Sequence, residues 1–213
     1  MVKAVVGSGG KTTLIHAMAQ KYVSQGKKVF VTTSTHMYIE EDTLLTDNPD
    51  VITAKLEKDG YAIAGVVEPK DSRKIKALTE DTYTKVCAKA DVVLVEADGS
   101  KGMPLKFPKN TEPVIYDNTD EIVVVCGLKA VRQAAKDVVF RLELAKICVD
   151  IDENTPVTLE HIEKLLAEGY IIPLTEKYPD KKIKIYIAGD GIEWRQQAEK
   201  QLQCALKVPV EKL

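Results

Sequence analysis

The run Val92-Val93-Leu94-Val95 constrains this chain most: it is apolar without a break and stops at an acid, Glu96. A strand with one wet face alternates apolar and polar residues, whereas a strand that does not alternate is covered on both faces. Glu121 to Cys126 repeats the pattern. Lys3–Val6, Val29–Thr33 and Tyr61–Val67 are further short strand signals. Between the first two, Thr12–Gln25 carries Leu14, Ala17, Met18 and Tyr22 at helical spacing, with Gly26 as its stop. Residues from about Asp71 to Ala90 read as mostly helical. Alternating strands and helices, with doubly covered strands in the middle, predict an α/β fold: a mainly parallel sheet with helices on both faces. Ligands of such sheets bind beyond the carboxyl ends of the strands. Chemistry is therefore expected in the loops after Val6, Thr33, Val95 and Cys126.

The remaining stretches set the expected organisation. Ser34–Asp50 is polar. Ala97–Asn118 is long and irregular, with Gly99, Gly102, Pro104, Pro108 and Pro113, the pattern of a functional or mobile loop. Residues 128 to about 170 read as short helices, with Thr158 as an N-cap and Gly169 as a C-cap. Ile183, Ile185 and Ile187 alternate with Lys184 and Tyr186, which predicts a half-exposed strand. Ile192–Leu206 closes the chain as a helix. The expectation is one domain over 1–213, with a core at about 1–127 and 181–213 and a small helical insertion at about 128–180.

Composition removes several classes. Of 213 residues, 45% are hydrophobic and 29% charged, enough for a core without metal or disulfide staples. The formal net charge of -2 gives no bulk attraction to nucleic acid or to an anionic membrane, so neither is an expected partner. No apolar run approaches the roughly 18 residues of a membrane span. The segment MVKAVVGSGGKTT has no basic region followed by a long apolar one, so no signal peptide is expected. Cys87, Cys126, Cys148 and Cys204 are scattered, with no C-x-x-C pair. Buried free thiols in a reducing cytoplasm are expected.

Gly7-Ser8-Gly9-Gly10-Lys11-Thr12-Thr13 lies between a strand and a helix, the setting a phosphate-binding loop requires. Glycines let backbone N–H groups turn inward around phosphate oxygens without a Cβ clash. The helix N-terminus adds unsatisfied N–H groups and a positive dipole end. Lys11 is placed to neutralise the β- and γ-phosphates, and the Thr12 hydroxyl to ligate a bridging Mg²⁺. The pattern G-x-x-x-x-G-K-[ST] has its first glycine where this chain has Val5. The shortened loop that remains is similar to that of Mur-type ligases.

Two further loops supply partners. Glu96 and Asp98, two apart at the end of an apolar strand, suit Mg²⁺ or an attacking water. Asp98 is expected on the metal and Glu96 on the metal or the water. Thr32-Thr33-Ser34-Thr35-His36 gathers hydroxyls and an imidazole at the next strand end. Thr33 is a candidate metal or γ-phosphate ligand and His36 a candidate general base or substrate contact. Lys101 and Lys106 are placed to meet an anionic substrate or a transferring phosphoryl group; the alternative, for Lys106 above all, is a lysine solvated in a flexible loop. His16 and His161 lie in helices with no partner motif and read as structural.

With GSGGKTT at 7–13, VTTSTHM at 31–37, VEADGSKGMPLKFP at 95–108 and TEPVI at 111–115, the chain resembles the YqeC-type family of selenium-dependent hydroxylase accessory proteins. VFRLELA around Arg141 is a weaker match. The resemblance implies a cytoplasmic P-loop nucleoside triphosphate hydrolase fold. It also implies a role in maturing selenium-dependent molybdenum hydroxylases, with such an enzyme or a maturation protein as client. In GTPase-like relatives a late strand ends in N-K-x-D; here it reads Ile185-Tyr186-Ile187-Ala188-Gly189-Asp190. Only Asp190 matches, which favours ATP over GTP without excluding GTP. The sequence thus points to a Mg²⁺-dependent nucleoside triphosphate-binding protein, an NTPase. The alternatives are an ATP-dependent small-molecule ligase or kinase, or a nucleotide-gated binding protein without hydrolysis.

Overall fold

The computed structural model describes residues 1–189 and 193–211. By contact density the chain divides into two compact units. The first comprises 1–5, 12–99 and 114–120; the second comprises 6–11, 100–113 and 121–213.

The first unit carries β1 (Val2–Gly7, whose last two residues belong to the second unit), α1 (Lys11–Ser24, whose first residue does too) and β2 (Val29–Thr33). It continues with β3 (His36–Tyr38), β4 (Thr43–Leu45), α2 (Pro49–Asp59) and β5 (Tyr61–Glu68). β6 (Asp71–Lys76), α3 (Glu80–Cys87) and β7 (Val92–Glu96) complete it. Its strand order is β1-β7-β2-β5-β6-β3, with β4 also on β5. The pairs β1–β7, β7–β2 and β2–β5 are parallel, and β5–β6 and β6–β3 antiparallel. Every residue of β7 is buried, as its unbroken apolar run requires. Phe30, Ile52, Leu56, Tyr83 and Val93 share one buried cluster. Asn48 caps α2 by accepting from the Asp50 N–H, and Gly60 ends it in the left-handed conformation at φ 69°.

The second unit carries β8 (Leu105–Lys106), β9 (Glu121–Gly127), α4 (Ala135–Val138), β10 (Val139–Phe140) and α5 (Leu142–Ala145). Then come α6 (Leu159–Leu166), a π-helical turn (Ala167–Ile171), α7 (Ile172–Lys177), β11 (Lys182–Ala188), α8 (Arg195–Leu206) and β12 (Val210–Glu211). β9, β11 and β12 are consecutive and parallel, and β8 pairs with β10 apart from them. The expected α/β class with a mostly parallel sheet is therefore present. No helix among the described residues is long and apolar enough to cross a membrane.

Several local expectations need correction. Asp71–Ala90 is not mostly helical: Asp71–Lys76 is a strand that folds back on β5, burying Ile75, and the helix starts only after Thr79, whose hydroxyl caps it. The polar stretch 34–50 holds two short strands. Gly169 does not end α6. The helical path continues through it, and a Cβ there would sit 3.0 Å from Pro108, so close packing explains the glycine. β11 keeps the expected partial exposure over Lys182–Lys184, but Tyr186 is buried along with Ile185 and Ile187, so there both faces of the strand are covered. The closing helix begins at Arg195; its expected first residue, Ile192, lies outside the described residues. The expectation of buried thiols fails for Cys148 and Cys204, which are exposed, while Cys126 is buried and Cys87 half-buried. All four are free thiols.

Candidate functional site

Within the second unit the glycines after β1 are held where no side chain fits. Gly7, Gly9 and Gly10 have φ of 87°, 80° and 148°, which L side chains rarely adopt. A Cβ on Gly7 would collide with the Val125 carbonyl; one on Gly9 would lie 2.5 Å from the Pro104 oxygen; one on Gly10 would lie 2.8 Å from the Ala188 Cβ. The Ser8 N–H donates to the Val125 carbonyl at 2.8 Å. The loop is thus seated against the carboxyl ends of β9 and β11. Lys11 is only 5% exposed, and its Nζ donates to the Gly7 carbonyl at 2.7 Å, so the ammonium folds back across the turn. A glycine turn at a helix start, with a buried ammonium folded across it, is chemically suited to an oxyanion.

Within the first unit the acids stand where three parallel strands end. Glu96 is in register with Val5 of β1 and with Thr33 of β2. The Ala97 N–H donates to the Val5 carbonyl at 3.0 Å, and the Ser34 N–H to the Glu96 carbonyl at 3.1 Å. Glu96 is 8% exposed and Asp98 not at all. The Thr33 hydroxyl donates to the Glu96 carbonyl at 2.7 Å and accepts the Thr35 N–H at 3.0 Å. Thr12 and Thr13 are exposed in the first turn of α1, which contains no acid. Among the described residues no group of three His, Cys, Asp or Glu side chains could hold a metal alone. Two buried carboxylates beside hydroxyls do suit Mg²⁺, which takes one or two carboxylates and fills its shell with water and phosphate oxygens.

The other candidates lie elsewhere. His36 belongs to β3, the outermost strand in the first unit's order, and its Nε2 pairs with Glu68 at 2.9 Å. The Glu68 pKa is lowered, chiefly by the Lys70 N–H; burial opposes this, and His36 adds to the lowering. His16 pairs with Glu40 at 2.9 Å. His161 forms a capping box with Thr158, a structural role as expected. Lys101 is exposed with φ of 51°, its Nζ 5.3 Å from the centre of the Phe140 ring. Asp190 lies outside the described residues.

Lys106 is the surprise. It is not a solvated loop lysine: its side chain is fully buried, 2.5 Å from Glu112, and Arg141 grips the same carboxylate with two bonds of 2.7 and 2.8 Å. Burial would raise the Glu112 pKa, but Arg141 and Lys106 override it and hold it at about 2. Reading residue by residue, no role emerges for Glu112 or Arg141. The available signal was that each sits in a family-like segment, TEPVI and VFRLELA. The cluster anchors the 100–113 segment, whose Pro104 carbonyl accepts the Gly127 N–H at 3.0 Å and lies against Gly9.

The molecule is thus an α/β protein with a mostly parallel sheet, whose first strand leads into a glycine turn with a buried lysine. Within that class, a family model described as YqeC protein matches residues 3–143, and the chain belongs to that family. It is 30% identical over 131 residues to an uncharacterized protein YqeC of Escherichia coli (strain K12), a match covering 59% of this chain and 51% of that one. The chain therefore spans about half the length of the curated relative it matches. No solved structure matches it.

Proposed function

We propose that the chain is a P-loop, Mg²⁺-dependent nucleoside triphosphate-binding protein that hydrolyses its nucleotide, with ATP preferred to GTP. The glycine turn that folds Lys11 back over its own backbone carries this reading. On binding, Lys11 leaves the Gly7 carbonyl for the β- and γ-phosphates, and N–H groups of Gly9–Thr13 bind the phosphate oxygens, the Ser8 N–H being held by Val125. The chemistry Mg²⁺ supplies when bound is neutralisation of charge between the β- and γ-phosphates. Thr12, Asp98 and Glu96 are the residues to hold it, with a hydroxyl from the end of β2. Glu96 also orients the attacking water. This position suits it better than His36, which is paired with Glu68 on the outermost strand. Lys101 approaches the transferring phosphoryl group by leaving the face of Phe140.

The biological role we propose is a cytoplasmic accessory factor in maturation of a selenium-dependent molybdenum hydroxylase. It rests on the resemblance given above. The test is phosphate release from Mg-ATP and Mg-GTP by wild type, Lys11→Ala and Lys11→Met, with and without a candidate client enzyme. Release by wild type and its loss in both variants supports the reading; Lys11→Met keeps the buried stem, so loss there is not a packing defect. Equal rates in all three would refute it. Release only with an added small acceptor would convert the proposal to a ligase or kinase. Binding without any turnover would convert it to a nucleotide-gated binding protein.

A further inference from the structure

Four hydroxyls stand in a row at and beyond the carboxyl end of β2, and three are committed to backbone. Thr32 donates to the Ala64 carbonyl at 2.9 Å, Thr33 to that of Glu96 at 2.7 Å, and Ser34 to that of Val114 at 2.6 Å. Thr35 differs. Its Oγ1 is shut off from solvent and has no hydrogen-bond partner among the described residues. A hydroxyl has one donor and two acceptor sites, and leaving all of them idle in a buried place is unfavourable. Such an atom calls for an explanation, and a ligand or ion is one.

The surroundings narrow the ligand. Thr33 and Ser34 are both bonded to the Glu96 carbonyl. Ser34 also reaches Val114, whose N–H donates to the Ala97 carbonyl at 3.1 Å. The turn bearing Thr35 is thus fastened to the chain segment carrying the buried carboxylates Glu96 and Asp98. Carboxylates favour a hard divalent cation and disfavour a bare anion, and hydroxyl oxygen is a suitable ligand for such a cation. Thr33 meanwhile accepts the Thr35 N–H at 3.0 Å and so fixes the Thr35 backbone.

We propose that Thr35 is the hydroxyl that binds the divalent cation of the metal–nucleotide complex, and that Thr33 is the residue positioning it. This rests on the nucleotide-binding reading above and refines it, because Thr33 was the sequence-level candidate for the ligand.

The experiment uses calorimetric titration of the full chain with a non-hydrolysable ATP analogue, in Mg²⁺ and in EDTA, alongside thermal unfolding of the nucleotide-free protein. Thr35→Val exchanges the hydroxyl for a methyl group of the same shape. It should cut the affinity gained from Mg²⁺ by about tenfold. Affinity in EDTA should be unchanged, and the nucleotide-free protein should be as stable as wild type or more so. Thr35→Ser should restore the Mg²⁺ effect. Thr33→Val should lower nucleotide-free stability, since it strips a partner from both the Glu96 carbonyl and the Thr35 N–H. A wild-type Mg²⁺ effect in Thr35→Val overturns the proposal while leaving nucleotide binding intact. So does destabilisation of the nucleotide-free protein by Thr35→Val, or failure of Thr35→Ser to restore the effect. If wild type binds no nucleotide in either condition, the proposal falls together with the reading beneath it.

Discussion

Replacing Glu112 by glutamine removes one charge from the Lys106–Glu112–Arg141 cluster while keeping its shape. The carboxyl stands at about 2 in the folded chain against an ordinary 4.5. At 1.36 kcal/mol per unit that difference is about 3 kcal/mol, and solvent at the partly exposed carboxylate screens it to about 2 kcal/mol. The folded value is depressed, so this stability is present above pH 4.5 and is lost as pH falls through 2. By pH 3 more than half is gone. The assay is urea unfolding of wild type and Glu112→Gln at pH 7, 5 and 3. The variant should be about 2 kcal/mol less stable at pH 7 and 5. The gap should be less than half as large at pH 3, because wild type then loses the same charge by protonation. A gap of equal size at all three pH values would show that glutamine misfits the site sterically. No gap at pH 7 would show that the cluster contributes nothing to holding the 100–113 segment.

Two further outcomes follow from the same geometry. Gly9→Ala places a Cβ 2.5 Å from the Pro104 oxygen at φ of 80°, and should destabilise the chain by roughly 3 kcal/mol in urea unfolding. A change below about 0.5 kcal/mol, the range of neutral surface substitutions, would refute the close seating of the loop. In thiol titration of the native protein with Ellman's reagent at pH 8, exposed Cys148 and Cys204 should react quickly and half-buried Cys87 slowly. Cys126, whose pKa burial pushes up to about 12, should react only on unfolding. Rapid reaction of all four would contradict the burial described.

The features legible in the sequence were those a short window decides. A short, unbroken, β-branched apolar run reads as a doubly covered strand, and Val92–Glu96 is one. The glycine run before Lys11 announced a tight turn, and the turn is there. What escaped needed information from a distant part of the chain. Asp71–Lys76 contains one apolar residue, Ile75, and is a strand only because β5 and β3 pair with its two edges. Gly169 looked like a helix stop, but its missing side chain makes room for Pro108. Lys106 looked solvated because its partner Glu112 lies 6 residues further along and Arg141, which shares that carboxylate, 35, and no local pattern marks either as its company. At the site, residue types were readable but hydroxyl commitments were not. Thr33 and Thr35 are alike in sequence, and only the hydrogen bonds separate them.

The central claim is that the Gly7–Thr13 turn binds a nucleoside triphosphate through Lys11. Titration calorimetry of wild type, Lys11→Ala and Lys11→Met with Mg-ATP and Mg-GTP tests it most directly. Folding of the variants is verified by circular dichroism. Saturable binding by wild type, at least tenfold weaker in both folded variants, is the predicted result, since each loses a charge-assisted phosphate contact of about 1.5–3 kcal/mol. No binding of either nucleotide by wild type at millimolar concentration, or equal binding by all three proteins, would contradict it.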